Sequence, residues 1–475
     1  MDCSQAFEAL SRRQWLQCMG AGLGAGALVD LLARDLPAAG DRTYDVSPKK
    51  THHEPRAKAV IQLYMPGGPS HVDMLDPKPM LDKYEGQRYP GVIDVMEPHF
   101  AGGIMPSPWK FKKYGQSGIE VSSLIPHMAE CVDDMTLVRS MYTEHFNHEP
   151  AIWMLNSGRA LPGRPSIGSW MIYGLGTENQ NLPAYVVLDD PNGMPIDGIR
   201  NWSSGWLPPV YQGTRFRSHG EPIPNLKPSR PVSDAVQKGR RELLDTLAAR
   251  HRAERPGEAD LDARIASYAL AARMQISATD ALDLSQETEE THKLYGLDDK
   301  VAESYGRRCL MARRLVERGV RFVQIYMEAA VWDDHYKIRT GHPKHCARID
   351  RPIAGLMKDL KQRGLLEDTL VIWAGEFGRL PIVQSSGGAA GRDHNRYGFT
   401  VWMAGGGLKR GFVYGATDEF GVKAVENPVG VPDLHATILH VLGLDYQRLT
   451  YNVHGLDEGL IATIYKPRVV HELFA

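Results

Sequence analysis

The sequence predicts an α/β fold whose mostly parallel sheet is covered by helices on both faces. Two observations carry this. Short, nearly continuous apolar runs recur along the chain, and helical patterns lie between them. A strand buried on both faces reads as an unbroken apolar run, the mark of a parallel sheet sandwiched between helices.

The runs come in order. Residues 59–65 (AVIQLYM) stop at Pro66-Gly67-Gly68-Pro69, a strand followed by a turn. Residues 136–141, 184–188, 320–326, 369–373 and 399–403 are the further strands. Helical patterns fall at about 150–157, 345–363 and 433–442. The middle is different: residues 230–318 are rich in Ala, Leu, Arg and Glu, and Leu243, Leu244, Leu247 and Ala248 recur at helical spacing. That stretch is read as a helical insertion or cap. Residues 190–229 are rich in Pro, Gly, Trp and Asn, the composition of a functional loop or surface wrap. Asn201-Trp202-Ser203-Ser204-Gly205-Trp206 offers rings that would stack on sugars. Residues 57–460 then form a single domain, after a polar linker at 40–56 and before a C-terminal tail at 461–475.

Composition excludes several classes. The 475 residues carry 55 Lys+Arg against 57 Asp+Glu, a net charge of −2, with 43% hydrophobic residues. Such a chain is neither disordered nor a nucleic-acid scaffold. Five Cys set no disulfide framework. At the start, Ser11-Arg12-Arg13-Gln14-Trp15-Leu16-Gln17 precedes a Gly/Ala-rich apolar run, Cys18 to Ala33. An arginine pair before a modest apolar stretch resembles a twin-arginine export signal. Residues 1–39 are therefore a signal region, with Ala38-Ala39 as a cleavage site. The run is short for a membrane span and Asp30 interrupts it. The expected partner is the twin-arginine machinery, the location periplasmic or extracellular, with no stable membrane insertion once the signal is removed.

In open α/β sheets, ligands bind beyond the carboxyl ends of the strands. The first run is followed by Ser70-His71-Val72-Asp73, and the second by Glu144-His145-Phe146-Asn147-His148-Glu149. Residues 320–326 lead to Glu328 and then Asp333-Asp334-His335, and residues 369–373 lead to Glu376 and Arg379. Arg392-Asp393-His394 precedes the run at 399–403. Mixed carboxylate and imidazole ligands suit a divalent transition metal, so His71, Asp73, His145, His148, Asp333, Asp334, His335, Glu376, Asp393 and His394 are the candidate ligands. Zinc is favoured, with manganese, iron or calcium as alternatives, and one or two ions. Each residue alone has a plainer reading. His71 suits a turn, and His145 or His148 suits the cap of a helix begun by Pro150. Asp333 and Asp334 are adjacent, so one of them should face solvent. His435, on an apolar helix, suits the core, and His342 and His345 suit surface or packing. Arg379 or Arg392 would hold substrate oxyanions, since a guanidinium suits two-point recognition.

The order of motifs resembles the sulfatases. Ile349-Asp350, a helix through Leu356 and Leu360 to Gly364-Leu365, then residues 367–372 and Gly375-Glu376-Phe377-Gly378, is similar to the sulfatase segment whose acid binds metal. Asn156-Ser157-Gly158-Arg159 resembles the end of the sulfatase nucleophile helix, and Pro432-Asp433 through Leu442-Gly443 resembles a late helix of that domain. With Gly67-Gly68-Pro69-Ser70-His71-Val72-Asp73, Glu376-Phe377-Gly378-Arg379 and Gly391-Arg392-Asp393-His394, the chain is identified as a member of the sulfatase-like domain-of-unknown-function family 1501, in the alkaline phosphatase superfamily. The resemblance implies a three-layer α/β/α fold of the alkaline phosphatase/sulfatase type with a helical insertion, and a metal-dependent hydrolase of sulfated or phosphorylated small molecules or carbohydrates.

One departure stands out. Where sulfatases carry Cys/Ser-x-Pro-x-Arg, this chain has His148-Glu149-Pro150-Ala151-Ile152. Histidine cannot become formylglycine. Three outcomes follow: a metal-bound hydroxide attacks directly with His148 as ligand or base, Ser70 or Thr143 is the nucleophile, or the site binds metal and ligand without turnover, as a carbohydrate or surface component would.

Overall fold

The computed structural model describes residues 45–93, 101–220, 222–223, 232–384 and 389–475. The expected signal, including Arg12, Arg13 and Ala38-Ala39, lies outside them. Among the described residues, no helix is long and apolar enough to cross a membrane.

All six predicted strands form. The central sheet is built from β1 (Ala59–Tyr64), β2 (Met135–Tyr142), β3 (Tyr185–Leu188), β4 (Thr214–Phe216), β5 (Phe322–Tyr326), β6 (Thr369–Ala374), β7 (Phe399–Ala404), β8 (Phe412–Tyr414) and β9 (Val429–Gly430). Their order across the sheet is β8-β2-β7-β6-β1-β5-β3-β4, with β9 also on β2. β1 lies between two parallel neighbours, Gln62 opposite Gln324 on one side and Ile372 on the other. β7 alone runs against its neighbours, with Trp402 opposite Trp373 of β6 and Leu137 of β2. This reversal has a direct consequence. Residues that precede β7 lie at the same sheet edge as residues that follow the parallel strands.

The longer helices are α1 (His148–Ser157), α2 (Ile167–Leu175), α3 (Asp234–Glu254), α4 (Ala259–Leu282), α5 (Glu303–Glu317), α6 (Ile338–Gln362) and α7 (Val431–Val441). Side chains alternate across a strand, so each strand feeds two cores. Ile61 and Leu63 of β1 pack with Leu310 and Leu315 of α5 and Ile353 and Leu356 of α6. Val60 and Tyr64 pack on the other face with Ile152 and Leu155 of α1, Trp170 of α2 and Leu439 of α7. The result is three layers. One polar seam crosses the second core: Gln324 Nε2 donates to Gln62 Oε1 at 3.0 Å and to Asn156 Oδ1 at 3.1 Å, and Tyr185 donates its hydroxyl to Gln324 at 2.6 Å. Buried amides need such partners, since an unmet one costs about 1–3 kcal/mol.

The chain divides into two compact units. The smaller contains Ser233–Asp262, where Ser233 caps α3 by accepting the Val236 N–H. Helix forms there as its spacing predicts, but Leu243, Leu244 and Leu247 are each more than half exposed. In the larger unit, the segment after Asp45 is hydrogen-bonded along its length: Lys49 N–H to Leu175 O, His52 N–H to Gly443 O and Arg56 N–H to Val441 O. Near the other end, Val470 and Leu473 are buried in the second core. Cys131, Cys309 and Cys346 are free and buried. The expected sugar-stacking rings are covered: Trp202 is buried, and the Arg164 guanidinium lies over Trp206 at 4.4 Å.

Candidate metal centre

Four loops meet at the carboxyl edge of the sheet. The turn after β1 depends on Gly67 and Gly68, at φ +108° and +75°. A Cβ on Gly67 would lie 2.6 Å from the Asp333 nitrogen, so only glycine lets this turn seat against the Asp333 loop. Gly391 does the same on the far side, where a Cβ would lie 2.2 Å from the His335 carbonyl group. That glycine brings two backbones together. Gly378-Arg379 then pairs antiparallel with His394-Asn395, which sets His394 beside Arg379.

Asp333 is the focus. Its Oδ1 lies 2.9 Å from His335 Nε2 and 3.0 Å from His394 Nε2, and its Oδ2 lies 3.3 Å from His148 Nε2. Each imidazole is oriented from behind through Nδ1. His148 Nδ1–H donates to Glu376 Oε1 at 2.8 Å, His335 Nδ1–H to Gln384 Oε1, and His394 Nδ1–H to the Phe146 carbonyl. A carboxylate and a carbonyl only accept, so they fix the tautomer. All three Nε2 atoms face one carboxylate. Asp393 stands beside them, its Oδ1 accepting the His394 N–H at 2.7 Å and lying 3.8 Å from His335 Nδ1.

The electrostatics follow from this packing. Burial disfavours a charged His148, but its bonds to Asp333 and Glu376 outweigh that and push its pKa up to about 9. Burial, with Arg379 nearby, pushes His394 down to about 3, which keeps it neutral. Asp333, though burial opposes it, is held well below the usual carboxylate range by the three imidazoles and Arg379. His335 Nε2 and His394 Nε2 lie only 3.0 Å apart, and the Phe146 carbonyl holds the His394 proton on Nδ1. Two such nitrogens at this distance need a proton or a metal ion between them. Three imidazole nitrogens and one carboxylate oxygen are a donor set for a borderline divalent ion such as Zn²⁺. Groups with metal-holding spacing are His148, Asp333 and His394, and His335, Asp393 and His394.

The predicted residues thus divide. His148, Asp333, His335, Glu376, Arg379, Asp393 and His394 come together. The others do not join the cluster. Asp73 is buried in a two-point ion pair with Arg392, at 2.6 and 3.0 Å, and its Oδ2 also accepts the Ser70 hydroxyl at 2.6 Å. Ser70 is therefore committed to structure. His71 points to the Gly421 carbonyl, to which Nε2–H donates at 2.8 Å. His145 is exposed and stands apart. Thr143 is buried, and its hydroxyl has no partner among the described residues. Asp334 turns away from the cluster, and not to solvent: it accepts from His342 Nδ1 at 2.5 Å, with His345 at 3.6 Å. His342 Nε2 in turn accepts the Ser70 N–H at 3.0 Å, so this buried histidine braces the loop that presents Asp333.

Two arginines expected to hold substrate hold the scaffold. All five N–H bonds of Arg392 are taken, by Asp73 and the carbonyls of Met105, Leu380 and Pro106. Arg379 donates to the Gly67, Gly68 and Arg392 carbonyls and to Asp333. Glu376 is also inward: it is fully buried and accepts from the Gly67 N–H, the Tyr64 hydroxyl and His148. α1 starts at His148, two residues before Pro150, with Asn147 as N-cap, which aims the His148 ring into the cluster. Gln384 and the Phe146 carbonyl were missed in sequence. A backbone carbonyl carries no sequence signal, and one glutamine ahead of a Gly-rich loop carries little.

Fold and cluster define an α/β protein with a histidine–carboxylate centre at the carboxyl edge of its sheet. The chain belongs to the family described as "Protein of unknown function (DUF1501)", whose model matches residues 57–474. No curated protein is significantly similar to it in sequence. Among solved structures it is similar to a sulfatase from Pseudoalteromonas sp. at 13% identity, covering 82% of this chain and 68% of that one, with a TM-score of 0.34. It is similar to the lipoteichoic acid synthase LtaP from Listeria monocytogenes at 8% identity, 86% and 78% coverage and a TM-score of 0.38. The alkaline phosphatase from the Antarctic bacterium TAB5 matches at 11% identity, 81% and 98% coverage and a TM-score of 0.32.

Proposed function

We propose that this chain is an exported, metal-dependent hydrolase of sulfate or phosphate esters that works without a formylglycine. The observation that carries the reading is the convergence of three Nε2 atoms on Asp333. A divalent ion held by His148, His335, His394 and Asp333 would supply a Lewis acid and an acidified water. The chain's own groups do the rest. Glu376, Gln384 and the Phe146 carbonyl hold the imidazoles in register, and Arg379 ties Asp333 to the Gly67–Gly68 turn. The Ser70 hydroxyl is held by Asp73 at 2.6 Å, which favours direct attack by water over a covalent route through Ser70. Export by the twin-arginine route suits a site loaded with metal before translocation.

The test is metal analysis of protein purified without chelator, followed by a panel of sulfate and phosphate mono- and diesters. We expect about one transition-metal ion per chain and turnover that His148→Ala abolishes. Fully folded, metal-free protein would end the metal reading. Metal without turnover across the panel would leave a metal-dependent binding protein.

A further inference from the structure

We propose that Arg159 and Arg164, beyond the end of α1 away from His148, form a binding site for a tetrahedral oxyanion group, phosphate or sulfate, with Trp206 as a third donor. The ten residues of α1 set its ends about 14 Å apart, so this site is separate from the metal centre and stands without it. Two glycines assemble it. Gly158 ends α1 at φ +76°, and a Cβ there would lie 2.1 Å from the Leu460 carbonyl oxygen, so the chain enters Arg159 packed against residues 458–460. Arg164 reaches the same segment, its Nη2 donating to Glu458 Oε2 and to the Gly459 carbonyl, both at 3.0 Å. Gly205, at φ +53°, brings Trp206 onto Arg164. A Cβ on that glycine would lie 2.7 Å from the Arg164 carbonyl carbon, and the guanidinium lies over the indole at 4.4 Å.

What this cluster lacks is an acceptor. Arg159 Nε, Arg164 Nε and Trp206 Nε1 are all buried, and none has a hydrogen-bond partner among the described residues. Arg164 as a whole is only 8% exposed. The nearby acids are engaged elsewhere, Glu458 with Arg164 Nη2 and Glu144 with the Tyr465 hydroxyl at 2.6 Å. Burial lowers the Arg164 pKa, and the charge of Arg159 adds to that against the Glu458 bond. The C-terminal end of α1 favours a cation here, but its carbonyls take none of these three N–H groups. Buried donors without acceptors are destabilising. Two guanidiniums and an indole N–H are the donor set that a tetrahedral oxyanion satisfies, since its oxygens accept from several directions at once.

The test is equilibrium dialysis of the full-length chain at low salt, where surface charges are least screened, against inorganic phosphate, sulfate and methyl phosphate. The inorganic ions probe a free anion and methyl phosphate the same group on a larger ligand, and the tighter binder names the source. Binding is read in His394→Ala, which removes any phosphate taken by the metal centre. We expect about one oxyanion per chain with a Kd below about 1 mM. Arg159→Gln should weaken binding at least about tenfold, the scale of a charge-assisted hydrogen bond, and it breaks no hydrogen bond within the fold. Arg164→Gln would also strand Glu458, so Trp206→Phe is the second variant. It keeps the ring under the guanidinium and removes only the N–H, and binding should weaken with it. No oxyanion bound at about 1 mM, an affinity unchanged in Arg159→Gln, or chloride competing as well as phosphate overturns the proposal.

Discussion

His335 and His394 face each other through their Nε2 atoms at 3.0 Å, and each turns its Nδ1 to an oxygen, that of the Gln384 amide and that of the Phe146 carbonyl. Neither ring can donate to the other without taking up a further proton. A proton or a divalent ion between them would satisfy the contact, and three predictions concern that region.

Metal removal should destabilise the protein. Ligand at a hundred times its Kd adds about 2.7 kcal/mol to the native state. Chelated protein should melt lower, and added Zn²⁺ should restore it in a concentration-dependent way. His394→Ala should abolish the shift, whereas His145→Ala, at an exposed position, should leave it intact. A melting temperature indifferent to chelator and zinc contradicts the site.

Glu376 should act as an orienting group. Its oxygens are taken by Gly67, Tyr64 and His148. Outer partners of metal-binding histidines are worth about 10–100-fold in affinity. Glu376→Gln and Gln384→Leu should each weaken zinc binding by that order while the visible spectrum of the cobalt-substituted protein keeps its ligand number. A spectrum that reports one ligand fewer in Glu376→Gln would make Glu376 a ligand after all.

Arg392 should be a stability residue. Removing one member of a buried ion pair costs about 3–5 kcal/mol, because the other charge stays buried and unpaired. Arg392→Met should therefore lower urea stability by that amount, with Asp73 as the stranded partner. Asp73→Leu/Arg392→Met should recover part of it, not all, since three carbonyls lose their donor. A loss under about 1 kcal/mol in the single variant would show that the pair is solvated.

The pH dependence has a sign that His435 sets on the opposite side of α1. His435 Nε2–H donates to the Leu155 carbonyl at 2.8 Å, and burial pushes its pKa down to about 4. The folded state keeps it neutral while the unfolded state takes a proton near pH 6.5. Stability is then complete above about pH 6.5 and falls as pH drops toward 4, by about 3 kcal/mol from this group. His435→Gln should flatten that part of the curve relative to the parent chain. An unchanged slope in urea titrations at pH 7, 5.5 and 4 would assign the acid lability elsewhere.

Much of the site was legible because its chemistry is local. His148, Asp333, His335, Asp393 and His394 each stand beside a strand run, and the apolar runs themselves marked β1, β2, β3, β5, β6 and β7. The reversal of β7 was not legible, since an apolar run carries no direction. It decides why His394, which comes before its strand, meets Asp333, which comes after one.

What the sequence determined by itself is which elements form and which residue types gather at their ends, because burial and turn chemistry act over a few neighbouring residues. Tertiary structure alone decided the roles. Asp73 and Asp333 look alike in sequence, yet one is neutralised by Arg392 and the other receives three imidazoles. Asp333 and Asp334 are neighbours, yet one faces the cluster and the other His342. A carboxylate's role is set by the partners that packing places within about 3 Å, and apart from His335 and His342 those partners lie tens to hundreds of residues away in the chain.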